Sequence, residues 1–394
     1  DLESIASGSL TGSIRGRHAP DGVNSGSFTA TFTGWPGGKS FAVDMTAQQF
    51  NLNNVIGYTK FVPNDLRRFG TLSEHIGVNV ENSEIAMFEA DITLENGVIS
   101  KAGRRIAPEF TSANIICTYA RSQKALNITK SEVVMVDGRR FGFVGVFNDI
   151  GTSSILFGGR LEAGNVPLQT ILADWPGGVA ADYKTFLSAH VESGYLADGS
   201  AQIAGRINQF SQAVTLSQFD FDGRFSGLRV NFATDQYRRA VGTVDGKLAI
   251  NMGLKGKIKS LKLDAAVSDG SVLLAVRDKP VIVTAANLQA EVADGIAIVD
   301  GVSIDFASDG KLAMTTKLRL NELMGIHSSQ SQINTDDFDA SLFAALWPTQ
   351  AAPLVKSWLL QNMMSGRIRD ANLVIDTSYD DRTEKQKLDH ISQE

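Results

Sequence analysis

Along much of the chain, apolar and polar residues alternate with a period of two. Leu248, Ile250, Met252, Leu254 and Ile258 alternate with Lys247, Asn251, Lys255, Lys257 and Lys259. Leu312, Met314, Leu318 and Leu320 alternate with Lys311, Thr315, Lys317 and Arg319. Ile296, Ile298, Val302, Ile304 and Phe306 carry the pattern across Asp300. Successive strand side chains point to opposite faces, so this period collects the aliphatic residues on one face of a sheet and the lysines on the other. Stretches 27–33, 41–52, 83–94, 126–136 and 214–232 read the same way. Parallel strands covered on both faces would be continuously apolar. The pattern therefore predicts antiparallel sheet with one wet face.

The chain has 37 glycines and only 9 prolines. Asp-Gly pairs begin at Asp21, Asp137, Asp198, Asp222, Asp245, Asp269, Asp294, Asp300 and Asp309, and Asn96-Gly97 adds a similar signal. Tight hairpin turns need positive φ, which Asp, Asn and Gly tolerate best. The run of pairs between 222 and 310 accordingly predicts consecutive hairpins, a β-meander, with some of the pairs in irregular loops.

Three stretches predict helices. Residues 64–75 follow Pro63, residues 174–193 end before Gly194, and residues 336–365 end before Gly366 and are broken by Pro348 and Pro353. So few helices cannot cover the apolar face of so much sheet. A second sheet, closure into a barrel, or a curled sheet partly covered by a bound apolar ligand could each do so, and periodicity does not separate the three.

An internal repeat is also present. Trp175-Pro176 recurs as Trp347-Pro348, 172 residues later, and the landmarks that follow recur without a gap. Lys184 matches Lys356, Phe186 matches Trp358, Leu187 matches Leu359 and Ser193-Gly194 matches Ser365-Gly366; Leu196, Asp198 and Ile203 match Ile368, Asp370 and Ile375. The signature residues are thus Trp175, Pro176, Lys184, Phe186 and Gly194 in one copy, and Trp347, Pro348, Lys356, Trp358 and Gly366 in the other. Physically this is a proline-broken helix, stopped by glycine, that feeds the first strand of a β unit. The Trp-Pro-Gly-Gly at 35–38 lacks the later landmarks and reads as coincidence.

The two Trp-Pro…Lys-x-[Phe/Trp]-Leu…Gly segments resemble the linker helices of the AsmA-like envelope proteins, in particular the large YhdP-type members of the bridge-like lipid-transfer superfamily. Phe61-Val62-Pro63, Leu66, Leu72 and Val78, leading into 83–94, look like an earlier element of the same family. The resemblance implies a mainly β fold: an elongated, curled antiparallel β-sheet forming a groove, built from repeats, with a few short linker helices. It implies one β-groove region over 1–173, a second over 174–345 opened by its linker helix, and a linker helix with the first strand of a further unit over 346–377. The polar stretch 378–394 reads as a disordered tail. The resemblance further implies a periplasmic protein anchored in the inner membrane, carrying phospholipids between inner and outer membranes. Phospholipid acyl chains would be its cargo and the two membranes its partners, reached through termini absent from this chain.

In that role Leu248, Ile250, Met252, Leu254, Val302, Ile304, Phe306, Leu312, Met314, Leu318 and Leu320 are the candidates for the groove lining. They offer no fixed hydrogen-bond donors, and Met252 and Met314 add adaptable surface. The same residues could equally form a packed sandwich core in a structural or adhesive β-repeat protein of the envelope.

Charge and the remaining motifs remove other classes. A net charge of −6 does not suit tracking of a phosphate backbone, so no nucleic-acid partner is expected. The single Cys117 excludes an internal disulfide framework, and its apolar neighbours suggest core rather than nucleophile. TGWPGGKS at 33–40 has Thr33 where a P-loop requires glycine, and strand-like alternation follows it. The histidines at 18, 75, 190, 327 and 390 form no zinc-binding pair in sequence, Asp220 and Asp222 lack the other ligands of a calcium loop, and no Gly-x-Ser-x-Gly elbow is present. The sequence predicts no enzyme, no cofactor and no metal.

Overall fold

The protein is described from a computed structural model that covers residues 2–4, 10–18, 26–34, 39–51, 71–98, 109–173, 181–211, 213–233, 237–252, 258–293, 296–320, 326–347, 353–379 and 386–393. It is mainly antiparallel β with a few short helices, and its strand pairings form an open series rather than a closed barrel. The chain divides into two compact units. The first comprises Asp1–Asn165 and Ser200–Phe219, the second Val166–Gly199 and Asp220–Glu394.

In the first unit, β1 (Leu2–Ser4), β2 (Leu10–His18), β3 (Gly26–Gly34), β4 (Phe41–Asn51), β5 (Thr71–Glu81), β6 (Glu84–Val98), β7 (Glu109–Ala120), β8 (Ala125–Met135), β9 (Arg140–Asn148) and β10 (Ser154–Pro167) follow one another. Each pairs antiparallel with the next, as a meander. Residues directly opposite in a ladder share a face. Met45, Ile76, Ala90, Cys117 and Ile128 therefore form one apolar row. Asp44, Gly77 and Glu89 form a row on the other face.

The second unit holds α1 (Leu168–Ala173), α2 (Ala181–His190), β13 (Tyr237–Met252), β14 (Ile258–Leu274), β15 (Val281–Ala293), β16 (Ile296–Asp305), β17 (Lys311–Leu320), β18 (Ile326–Asp336) and β19 (Phe338–Asp339). It continues with α3 (Ala340–Leu346), α4 (Pro353–Asn362), β20 (Arg367–Ile368), β21 (Ala371–Tyr379) and β22 (Gln386–Gln393). β10, through Val166 and Pro167, β11 (Val191–Asn208) and β12 (Val214–Phe232) contribute residues to both units. From β13 to β18 each strand pairs with the next, then β18 with β21 and β21 with β22.

Several expectations change here. Thr71–His75 belong to β5 instead of a helix, and the rest of the expected helix 64–75 lies outside the described residues. In place of one helix over 174–193, α1 precedes the described gap at 174–180, α2 follows it, and Val191–Ser193 already belong to β11. After α3 and α4, β21 returns antiparallel against β18. Within the polar C-terminal stretch, Gln386–Gln393 is β22.

The largest change concerns Asp-Gly. Asp137-Gly138 and Asp309-Gly310 sit at strand junctions as expected. The pairs at 198, 222, 245, 269 and 300, and Asn96-Gly97, lie inside strands instead. The pairs at 21 and 294 lie outside the described residues. Two physical reasons replace turn formation. Asp269 (φ 50°), in the β13–β14 ladder, and Gly301 (φ 80°), in those of β16, sit at β-bulges, where the ladder register shifts and the strand bends. Elsewhere the missing side chain leaves room for an aromatic ring on the sheet surface. A Cβ on Gly223 would come 2.6 Å from the Phe221 ring, on Gly246 2.8 Å from Phe225, and on Gly97 2.2 Å from Phe110. Glycine within a strand marks such a close approach.

Candidate functional site

The cross-strand register of the second unit shows how its aliphatic residues meet. Leu248 lies opposite Leu263, Leu263 opposite Ala290 and Ala290 opposite Val299. Ile250 likewise leads through Leu261, Val292 and Ala297 to Leu318. A third row runs from Ala286 through Ile304 and Leu312 to Thr335, and Val302 pairs with Met314, which pairs with Ile333. Every predicted lining residue whose side chain is described thus belongs to β13, β16 or β17, or to the turn that follows β16, and the rows are joined through β14 and β15. Leu254 lies outside the described residues, and of Leu320 only the backbone is described.

One detail of the alternation fails for a clear reason. The bulge at Asp300-Gly301 inverts side-chain parity along β16, so Ala297 is buried, Ile298 is exposed, and Val302 and Ile304 face the other way from Ile298. The period-two reading through Asp300 had placed Ile298 with Val302.

The two ends of this face differ in coverage. At one end α3 packs on the sheet. Leu274, Val281, Val283, Phe306, Phe338, Leu342 and Ala345 form a buried cluster, with Ile304 and Leu312 packed against it. Phe306, predicted to line a groove, is only 3% exposed and meets Phe338 edge-to-face at 5.6 Å, so it is part of this core. A second cluster places Trp347 of the α3 C-terminus and Leu359 of α4 over Leu373 and Ile375 of β21, with Ile333 beside them. Away from these helices, Leu248, Ile250, Met252, Leu261, Leu263, Leu288, Val292 and Leu318 are all half-buried, none fully so. A sheet face roofed by a second sheet would bury its central residues.

Toward β18 the face becomes hydroxylated. Thr316 donates from Oγ1 to Ser331 Oγ at 3.1 Å, and Ser329 pairs with Leu318 across β17 and β18. The opposite face carries Lys247, Lys262, Glu291, Lys311 and Lys317, all exposed, with Lys262 and Glu291 bridged at 3.1 Å.

The repeat signature has structural counterparts. α2 and α4 lie 172 positions apart at both ends, and α1 and α3 start 172 positions apart. Lys356 donates from Nζ at 2.8 Å to the carbonyl of Trp347 at the C-terminus of α3. This explains a lysine nine residues after the tryptophan. Burial lowers the ammonium's proton affinity there. Gly194 and Gly366 both adopt positive φ (133° and 118°), which a side chain would strain. Phe186 and Trp358 are both exposed, at 52% and 59%. Phe186 also lies against His190 of its own helix and Phe232. Lys184 is half-buried; Trp175, Pro176 and Pro348 lie outside the described residues.

The N-terminus of α3 is held by a network that sequence did not reveal. Asp339 caps it by accepting from Leu342 N–H at 2.7 Å, and Arg277 from the β14–β15 connection reaches Asp339 at 3.2 Å and Ser341 at 2.5 Å. Burial pushes the Asp339 carboxyl up, but these bonds and the guanidinium charge outweigh it and leave it below the usual aspartate range. Cys117 is buried in the apolar row of the first unit, which raises its thiol.

Among the described residues no helix is long and apolar enough to cross a membrane. Comparison with protein-family models, curated proteins and solved structures finds no match to this chain.

Proposed function

We propose that the half-buried aliphatic face of the second unit binds hydrocarbon chains of phospholipids, and that the protein is a segment of a periplasmic bridge carrying phospholipids between inner and outer membranes. The observation that carries this reading is the continuous apolar cross-strand run from Leu248 and Ile250 on β13 to Leu318 on β17, whose large side chains are half-exposed while the small Ala297 among them is buried.

An acyl methylene brought into water costs about 0.8 kcal/mol. A phospholipid with roughly 30 methylenes would face a barrier on the order of 20 kcal/mol on the bare aqueous route. A dry strip of side chains without directional donors lowers that barrier at every step while holding no single pose. The hydroxyls of Thr316, Ser329 and Ser331 at one margin suit the ester and headgroup zone, where water is still present.

Mass spectrometry of lipid extracted from gently purified protein tests the proposal. Stoichiometric phospholipid supports it. Protein that emerges lipid-free, and that fails to take up phospholipid from vesicles, leaves only a structural repeat protein.

A further inference from the structure

A second group of residues, on the polar face of the first unit, stands apart from the apolar face. Asp44 on β4 lies directly opposite Gly77 on β5, and Gly77 lies opposite Glu89 on β6. His75, two residues before Gly77 and so on the same face, places Nε2 2.8 Å from Asp44 Oδ2. One ligand atom from each of Asp44, His75 and Glu89 lies within 4.8 Å of the other two. Glycine at 77 is what lets Glu89 lie across the middle strand, because a Cβ there would come 2.7 Å from Glu89 Oε1.

We propose that Asp44, His75 and Glu89 form a binding site for a divalent transition-metal ion, with zinc as the natural probe. Zinc holds nitrogen and oxygen ligands at about 2.0–2.2 Å, which puts neighbouring ligand atoms about 3.4 Å apart in a tetrahedron. Asp44 and His75 are exposed and Glu89 is half-buried, so small rotamer changes close the remaining distance. Water completes the coordination. One imidazole beside two carboxylates selects against magnesium and calcium, which prefer all-oxygen shells.

The local field already favours a cation. The carboxylate of Asp44 bonds His75, and Glu89 lies on the same face beside it. Asp91 faces His75 directly across the β5–β6 ladder. The three ligands come from three adjacent strands, so the ion would clamp β4, β5 and β6 together. In sequence the ligands are scattered across positions 44 to 89, and only the ladder register unites them.

Isothermal titration of zinc into the whole chain in a non-coordinating buffer tests the site, alongside His75→Gln and Asp44→Asn. Saturable binding is expected, weakened at least ~10-fold by either substitution, since even outer-shell changes cost a metal site that much. Zinc should raise Tm in the wild type and not in His75→Gln, and excess magnesium should not displace it. Substitution of these surface side chains leaves the fold standing, which circular dichroism verifies. Absence of binding at millimolar zinc, or binding indifferent to both substitutions, overturns the proposal.

Discussion

Ile250→Ala and Leu342→Ala form a pair of substitutions that reports whether the apolar face is roofed. Ile250 sits in the cross-strand row with Leu261 and is half-buried. Full burial of such a side chain contributes about 1.5–3 kcal/mol, so half-burial contributes roughly 1 kcal/mol. Truncation at a surface open to solvent leaves no cavity, so no further term is added. Leu342 on α3 has no exposed surface and packs with Phe338 and Leu274. Its truncation loses the transfer term and opens a cavity, for a total of about 2–5 kcal/mol. Urea unfolding at neutral pH, followed by circular dichroism with the slope held common, should therefore separate the two by a factor of about three. Ile250→Asp should likewise leave a folded protein that takes up less of a fluorescent acyl-chain probe. If Ile250→Ala costs as much as Leu342→Ala, or Ile250→Asp unfolds the unit, the face is a packed core and the reasoning fails.

Further outcomes follow from other sites. Asp339→Ala removes the α3 cap and should cost about 1–2 kcal/mol at pH 7. Because the folded carboxyl lies below the usual range, its contribution is present above about pH 4 and lost as pH falls further, so urea curves of the two proteins should converge in acid. Glu74 points with Ala47 and Ile92 toward the apolar side of the first unit, and burial raises its carboxyl. Its stabilising state is the protonated one, complete below the usual glutamate value and lost as pH rises through the raised value. Glu74→Gln should therefore stabilise the protein at pH 7 and have no effect near pH 4, as read by Tm across a pH series. Gly97→Ala would drive a methyl into the Phe110 ring and should cost about 1–3 kcal/mol in urea unfolding.

Periodicity carried most of the fold. The strand expected at 214–232 is β12, and those at 41–52, 83–94 and 126–136 match β4, β6 and β8 to within a few residues. These succeeded because one face is wet and the other apolar, which forces alternation. Within 336–365, expected to be a helix broken at Pro348 and Pro353, α3 ends before the first proline and α4 begins at the second, although Asp336 belongs to β18 and Phe338–Asp339 to β19. Asp-Gly misled, because the conformational freedom that serves a turn also serves a bulge or the floor beneath an aromatic ring. Sequence cannot tell a Gly223 under Phe221 from a Gly310 in a connection. The bulge at Gly301 then reassigned Ile298, since one inserted residue reverses every later side chain.

Tertiary packing was the least legible layer. Phe306 has the spacing of a lining residue, and only the position of α3 makes it core. Asp44, His75 and Glu89 carry no local signal, since Asp44 and Glu89 read as ordinary polar strand positions and His75 as the end of an expected helix. Arg277 and Asp339, 62 residues apart, meet only because the β14–β15 connection lies beside the α3 N-terminus. Trp347 and Lys356 were visible as a repeated spacing, and their hydrogen bond supplies the reason for it.

The most direct measurement is photocrosslinking with a photoreactive amino acid placed singly at Ile250, Leu261 or Leu318, and at Lys262 or Lys317 on the opposite face, in protein loaded with phospholipid. The account predicts lipid adducts at the first three positions and none at the two lysines. Adducts distributed evenly over both faces, or absent from all five positions in protein that is folded and lipid-loaded, would contradict it.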